Sequence, residues 1–361
     1  MAQQHAIIIH SPKAPFTLGF TDIPPPNKGE VLLKICSVGL NPGNWKQREF
    51  DALIDAYPAV VGNDVAGIIE SVGEGVVGFK RGDRVFTQTL GGGFQQYTTV
   101  PAAILIRIPD NVSFDEVATL PIAFTTAVVG LFAPAPLGLG LNPTFSWEQP
   151  QKGDSALVIG GATSVGQFAI QLFKFLGFTR IVAYASKTHF DYLQQLGATE
   201  CIDRFEVSMD SLPERMKSPV NVVFDITSGN PNAAYDCVAD GGGIATLVWG
   251  AKLDRDLGPK KVDLEHKKAT LAAVRGYLAG PDVLKFKRDD VFGYAGTPEH
   301  TEFGKSVIKH LPELLEKGVI NANRYEVLPN GLAGILEGME RLRNGTVAGD
   351  KLVAHPHDPS V

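Results

Sequence analysis

The 361-residue chain carries three cysteines, Cys36, Cys201 and Cys237, too few for a disulfide framework or a four-cysteine zinc lobe. No uninterrupted apolar run reaches membrane-spanning length. The N-terminal stretch Met1-Ala-Gln-Gln-His-Ala-Ile7 lacks a basic region followed by a long apolar core, so no secretory signal is expected. No basic domain stands out and the formal net charge is −6, which argues against nucleic acid as a general partner. What remains is ordinary for a soluble enzyme: 44% hydrophobic and 20% charged residues, in a chain long enough for two domains. The expected compartment is reducing and cytoplasmic, with neither membrane nor nucleic acid as partner.

Against that background one segment stands out, Ser155-Ala-Leu-Val-Ile-Gly-Gly-Ala-Thr-Ser-Val-Gly166. It reads as a buried strand, a tight glycine turn and the start of a helix that runs on to Gly177. Apolar residues at Phe168, Ile170, Leu172, Phe173 and Leu176 mark the buried side of that helix. An α/β fold builds a dinucleotide pyrophosphate site this way, because small residues let the backbone approach the phosphates and helix-start N–H groups face the anion. Gly161, Ser164 and Gly166 fall on the fingerprint positions, with serine replacing the middle glycine. A purely structural glycine turn satisfies the same pattern.

The strand-like Arg180-Ile-Val-Ala-Tyr-Ala-Ser186 follows, giving strand–helix–strand. An NAD-preferring site places an acid at this strand end for the ribose hydroxyls. Here the chain reads Ser186-Lys187-Thr188-His189, a hydroxyl and a cation without an acid, which suits the 2′-phosphate of NADP. A solvated loop with an incidental lysine is the alternative.

The first 120 or so residues are punctuated by glycine and proline. Short strands are expected at Glu30–Val38, Val65–Val72, Arg84–Thr87 and Ala103–Ile108, forming a small antiparallel β domain. Asp115–Phe132 reads as helical, capped by Ser113 and interrupted at Pro121. The apolar, proline-rich stretch after Ala133 is expected to cover something, such as a substrate cleft. From Asp154 strands alternate with helices: strands at 155–160, 180–186, 221–226 and 243–248, helices at 164–176, 189–196, 231–239 and 302–317. That alternation predicts a doubly wound parallel sheet. After Gly318 a strand at Tyr325, a helix ending near Arg343 and a strand at Lys351–His355 suggest a return to the first domain.

Several segments together resemble the medium-chain dehydrogenase/reductase superfamily over nearly the whole chain. They are Gly39-Leu-Asn-Pro-Gly-Asn-Trp-Lys46, Val61–Gly73, Phe79-Lys-Arg-Gly-Asp-Arg-Val-Phe86, Gly93-Phe-Gln-Gln-Tyr97, the 155–177 fingerprint and Gly345–Val353. The resemblance implies an α/β protein: a GroES-like antiparallel β domain at 1–125 and 319–361, and a Rossmann NADP-binding domain at 126–318, with the nicotinamide between them. Zinc-dependent members have a cysteine where Asn41 stands and Gly-His-Glu where Gly62-Asn63-Asp64 stands. Catalytic zinc needs three strong ligands and an open position, so no metal is expected. The chain is most similar to the zinc-independent branch of quinone oxidoreductases and alkenal and enoyl reductases. The Asn-Pro-x-x-Trp-Lys and Ser-Lys-x-x-x-x-Tyr patterns resemble the fungal trans-acting enoyl reductases of polyketide synthesis.

The resemblance implies an NADPH-dependent reduction of the C=C bond of an α,β-unsaturated carbonyl compound, free or presented by a carrier. Quinone reduction is the alternative within enzymes, and a catalytically silent NADPH-binding partner protein is the alternative of another class. The resemblance places Lys46 and Thr125 or Thr126 at cleft-facing positions as candidate donors to the carbonyl oxygen; Lys46 could instead touch the cofactor ribose or be a solvated loop lysine, and the threonines could instead bond the helix N-terminus. Asn41 and Trp45 are candidates to shape the cleft. Gly161, Thr163, Ser164 and Val165 are assigned to the pyrophosphate, Ser186, Lys187 and Tyr192 to the 2′-phosphate, and Thr246, Leu247 and Val248 to the nicotinamide. Asp225 ends a strand toward the same crevice, or caps a turn. Asp64 is expected to bond local backbone. Lys351 resembles a terminal Gly-Lys motif, with Asp350 intervening. Monomer and homodimer both stay open, because the segment 280–294 could block the sheet edge through which relatives dimerise.

Overall fold

The computed structural model describes residues 2–135, 138–149, 151–227, 230–247, 260–263 and 298–359. In chain order the elements that matter begin with β1 (Gln3–Ile9), β2 (Phe16–Asp22), β3 (Glu30–Gly39) and α1 (Pro42–Glu49). Next come β4 (Ala59–Val60), β5 (Asp64–Val72), β6 (Arg84–Gln88), β7 (Tyr97–Pro101), β8 (Ile106–Arg107), α2 (Phe114–Ala118) and α3 (Pro121–Phe132). The alternating part holds β9 (Ser155–Ile159), α4 (Ser164–Leu176), β10 (Arg180–Ala185), α5 (Phe190–Leu196), β11 (Glu200–Asp203) and α6 (Leu212–Arg215). It continues with β12 (Val220–Asp225), α7 (Pro231–Asp236), β13 (Val238–Thr246) and β14 (Lys261–Asp263). The chain closes with α8 (Pro298–Glu316), β15 (Tyr325–Val327), α9 (Gly331–Arg343) and β16 (Lys351–Ala354).

Contacts divide the chain into two compact units, Met1–Ile122 with Arg275–Val361, and Ala123–Val274. The helix α8, placed by the sequence reading with the Rossmann domain, groups with the first unit and packs beside β8.

In the first unit a seven-stranded sheet runs β15-β16-β3-β5-β6-β8, with β7 also pairing β3. All its pairs are antiparallel except β15–β16. A second sheet, β2-β1-β4, belongs to the same unit. The strands alternate as a one-sided sheet should: Val31, Leu33 and Ile35 of β3 are fully buried and their neighbours are not. They share a core with Ile7, Ile9, Val65, Val85 and Phe94. The helix α9 joins that core through Leu332, Ile335 and Met339. Its Gly338 allows the approach, since a Cβ there would lie 2.6 Å from Leu328 and 2.7 Å from Leu40.

The second unit is a six-stranded parallel sheet in the order β11-β10-β9-β12-β13-β14. Its strands are near-continuous apolar runs, as expected when both faces are covered. The strand β9 lies between β10 and β12, so the winding reverses direction at β9 and β12. Ligands of doubly wound sheets sit outside the strand C-termini at such a switch point.

The chemistry of the ends explains the boundaries. Ser113 caps α2 through its side chain, and Glu116 reciprocates to the Ser113 N–H. The expected interruption falls at Pro121, which opens α3 as its first residue. Three expectations need correction. The strand predicted over Ala103–Ile108 is a 3-10 turn at Ala102–Ile104 followed by the two-residue β8. The turn lets consecutive residues Ile104, Leu105 and Ile106 all face inward, which a pleat cannot do. The helix predicted over 231–239 stops at Asp236, because β13 starts at Val238 beside Val220. The strand expected at 243–248 therefore begins five residues earlier and is irregular in register. The segment 280–294 lies outside the described residues, as do Pro136 and Leu137 of the apolar stretch. No helix among the described residues is long and apolar enough to cross a membrane.

Candidate active site

The glycine turn stands at the switch point. Gly160 follows β9 directly and has φ +87°, a conformation other residues rarely adopt. Gly166 sits in the first turn of α4, where a Cβ would lie 2.4 Å from the Gly160 oxygen and 2.8 Å from the Gly161 Cα. Only glycine lets helix and turn pack so closely. A Cβ on Gly161 would lie 3.1 Å from Ala183 of β10.

Thr163 was expected to touch phosphate, but its polar groups are committed locally. Its Oγ1 accepts from the Gly166 N–H at 3.1 Å and donates to the Gly160 oxygen at 2.8 Å, and its own N–H bonds the same oxygen at 3.0 Å. Thr163 is the N-cap that fixes the loop rather than a ligand-facing donor. Ser164 and Val165 follow as the first two helical residues. The N–H groups of the first helical residues have no intrahelical acceptor, so those of Ser164 and Val165 are suited to an anion. The turn, the cap and a 13-residue helix with its dipole fit a dinucleotide pyrophosphate.

At the end of β10 the Ser186 hydroxyl accepts from Arg204 Nε at 2.9 Å. Arg204 follows β11, which runs parallel to β10, and its N–H bonds the Ala185 oxygen at 3.1 Å. Its guanidinium also lies 4.7 Å from the Phe205 ring centre. Arg204 thus joins the exposed Lys187 in one cationic corner. It was not singled out from sequence, and only the adjacency of the β10 and β11 ends reveals it. The Tyr192 hydroxyl, expected at the 2′-phosphate, bonds Gln167 Oε1 at 3.1 Å, and the Gln167 amide donates to the Ala162 oxygen at 3.0 Å. Tyr192 therefore also braces the glycine turn.

On the other side of the switch point the ends of β12 and β13 are level, with Asp225 opposite both Ile159 and Thr246. Thr246 is fully buried and donates to Asp225 Oδ2 at 3.3 Å, while the Leu247 N–H bonds the Asp225 oxygen at 2.8 Å. Val248 lies outside the described residues. In the same unit Thr125 and Thr126 lie in α3, each 8% exposed.

The first unit holds the remaining candidates around a buried polar network. Asp64, at the start of β5, is 0% exposed and Lys351, at the start of β16, has a 3% exposed side chain. Lys351 Nζ donates to Asp64 Oδ2 at 2.9 Å and to Asn41 Oδ1 at 2.6 Å. Asn41 Nδ2 donates to Asp64 Oδ2 at 2.8 Å. Asp64 Oδ1 accepts the Ile122 N–H at 3.0 Å. The expectation that Asp64 bonds local backbone is wrong: its partners lie 23, 58 and 287 residues away, brought together by three elements. The amides continue the chain. Asn44 Oδ1 accepts the Asn41 N–H at 2.8 Å, Asn44 Nδ2 donates to Asn63 Oδ1 at 2.7 Å, and Asn63 Nδ2 donates to the Thr89 oxygen at 2.8 Å. Removing one partner of a buried ion pair typically costs about 3–5 kcal/mol. Trp45 and Lys46 follow on α1, with Lys46 exposed and its Nζ 5.4 Å from the Trp45 ring centre.

The thiols are poor candidates for chemistry. Burial pushes Cys201 up to about 11 and Cys237 up to about 12, and raises Cys36 as well, so all three hold their protons near neutral pH.

These features have counterparts in known proteins. Residues 27–110 match the alcohol dehydrogenase GroES-like domain, and residues 164–280 match the domain described as zinc-binding dehydrogenase. A trans-enoyl reductase of Aspergillus niger, caaB, is 31% identical over 343 residues, covering 90% of this chain and 89% of its own. The chain belongs to the medium-chain dehydrogenase/reductase superfamily. Another relative, the trans-enoyl reductase ccsC of Aspergillus clavatus, is 31% identical over 344 residues, covering 90% of this chain and 88% of its own. Among solved structures, an alcohol dehydrogenase superfamily protein from Novosphingobium aromaticivorans has a TM-score of 0.74 at 23% identity, covering 99% of each chain. The CurK enoyl reductase has a TM-score of 0.73 at 19% identity, covering 98% of this chain and 99% of its own. Members of this superfamily are oxidoreductases that use a nicotinamide dinucleotide.

Proposed function

We propose that the protein is an NADPH-dependent, zinc-independent reductase of the C=C bond of α,β-unsaturated carbonyl compounds. The observation that carries this reading is the glycine turn at the switch point together with Ser186, Lys187 and Arg204 beside it. The relatives named trans-enoyl reductases favour the reaction type. Val165 and the rest of the α4 N-terminus would hold the pyrophosphate, and Ser186, Lys187 and Arg204 the 2′-phosphate, through charge-assisted bonds. NADPH, when bound, would supply a hydride for the β-carbon and leave as NADP⁺, and the α-carbon would take its proton from solvent. Conjugate addition places negative charge on the carbonyl oxygen, and a fixed donor there stabilises it. Lys46, Thr125 and Thr126 are the candidate donors. Asn41 is held in the network with Lys351 and Asp64, while Trp45 supplies an apolar wall at the start of α1. The substrate is an enoyl compound, free or carried by a partner protein, and the protein acts in the cytoplasm.

The decisive test is the product. Purified protein with NADPH and a conjugated enal should give the saturated carbonyl compound, identified by mass and NMR. An allylic alcohol that retains its double bond would refute the assignment. Oxidation of NADPH by quinones but not by enals would favour quinone reduction instead, and no oxidation by either would favour a silent binding protein.

A further inference from the structure

The buried Asn41–Asp64–Lys351 network touches the starts of two helices that carry candidate donors. Asn41 precedes α1, which carries Trp45 and Lys46. The Ile122 N–H is the first donor of α3, because Pro121 before it has none. Asp64 accepts that N–H with one oxygen and binds Asn41 and Lys351 with the other. A carboxylate at a helix start is favoured by the dipole, but only if it stays ionised and in place. Lys351 supplies the compensating charge. Gly39 leaves room for it, since a Cβ there would lie 3.1 Å from Lys351 Cε and 2.2 Å from the Ala118 oxygen. The amide chain through Asn44 and Asn63 fixes α1 to the same frame.

We infer that Lys351 is a positioning residue: with Asp64 it forms a fixed charge pair that sets the starts of α1 and α3. The inference rests on the reductase reading for its catalytic consequence, though not for its geometry. Lys351 lies 310 residues from Asn41 in the chain and acts through Asn41 and Asp64. Misplacing a reacting group by about 1 Å can cost about 100-fold in rate, so a loosened frame should reduce kcat more than cofactor binding.

The test uses the full-length protein and the variants K351M, K351A and D64N. Each is measured for kcat, for KM with NADPH, for cooperative thermal unfolding, and by NMR for hydrogen exchange at the Ile122 amide. The expected result for K351M is a folded protein with KM for NADPH within about twofold of wild type and kcat lowered about 10- to 100-fold. Its Ile122 amide should exchange faster. For K351A, n-propylammonium, which replaces the deleted methylenes and ammonium, should restore kcat saturably and slow exchange at Ile122 again. If K351M fails to fold, K351A with n-propylammonium serves as the folded state for the comparison. In D64N an amide N–H₂ group must face either the ammonium or the Ile122 N–H, so that variant should show the same faster exchange. Wild-type kcat in folded K351M, unchanged exchange at Ile122, or a kcat loss accounted for by unfolded protein would overturn the inference. If wild-type protein reduces no conjugated acceptor, the proposed function fails, and Ile122 exchange alone still decides the positioning role.

Discussion

At the residue scale, Arg204 completes a cationic corner at the end of β10 that the proposed reading assigns to the 2′-phosphate. Its Nε is bonded to the Ser186 hydroxyl, so the cation and the hydroxyl form one unit beside exposed Lys187. Charge-assisted bonds contribute roughly 1.5–3 kcal/mol each, about ten- to a hundredfold in affinity. Changing Lys187→Ala or Arg204→Ala should weaken NADPH binding by that order and leave NADH nearly unaffected, measured by fluorescence titration. Equal losses for both cofactors would show that neither side chain reads the 2′-phosphate. The metal question is also a matter of single residues. Asn41 and Asn63 stand at the positions a zinc ligand would take, and both amides are bonded to protein groups. Elemental analysis of the purified protein should find substoichiometric zinc, with activity surviving chelators; one tightly held zinc per chain would contradict this.

On the proposed reading, cofactor binding depends on the strand–turn–helix unit of β9 and α4. Its closeness comes from Gly166, where an added methyl group would meet the Gly160 carbonyl at 2.4 Å. Backbone cannot yield as a flexible side chain would, so Gly166→Ala should push α4 away from the turn. We expect a lower Tm and a loss of NADPH binding of at least about tenfold. Wild-type affinity in a variant of unchanged Tm would mean that the turn tolerates the added volume. The helix α4 was legible to the residue from its apolar spacing, and Ser113 and Pro121 announced the boundaries of α2 and α3. Such signals are local, carried by side chains that bond backbone a few residues away. The strands β1 and β2 were not marked, although they are neighbours in sequence that pair from Ile9 and Phe16 outward; only their third strand, β4 at Ala59–Val60, lies far away in the chain.

At the scale of the whole molecule the C-terminal residues are fastened back onto the first unit. His355 Nε2 lies 2.8 Å from Asp115 Oδ1 and its Nδ1 lies 3.2 Å from Asp358 Oδ2. Burial alone would depress the imidazole, but the hydrogen bonds and charges of Asp115 and Asp358 outweigh it and raise its pKa above the ordinary value of 6.5. A raised histidine stabilises the fold fully below its unfolded value, and this contribution is lost as pH rises through the folded value. Nearby His357 is shifted the opposite way by burial, so it must be left intact in the comparison. The Tm difference between wild type and His355→Asn should be larger at about pH 6 than at about pH 9. A difference that grows toward high pH would refute the clasp.

The sequence by itself determined the two kinds of architecture, the glycine turn, the helix that follows it and the cationic end of β10. Those features are written in short-range spacing, where each side chain acts on backbone within a few residues. The tertiary structure decided what those residues meet. Thr163 proved to be a cap, Arg204 reached Ser186 only because β11 lies beside β10, and Asp64 found Lys351 across 287 residues. No local pattern encodes such partners: a buried charge is satisfied by whatever the fold brings near it, and strand order is set by packing of the whole sheet rather than by any one strand.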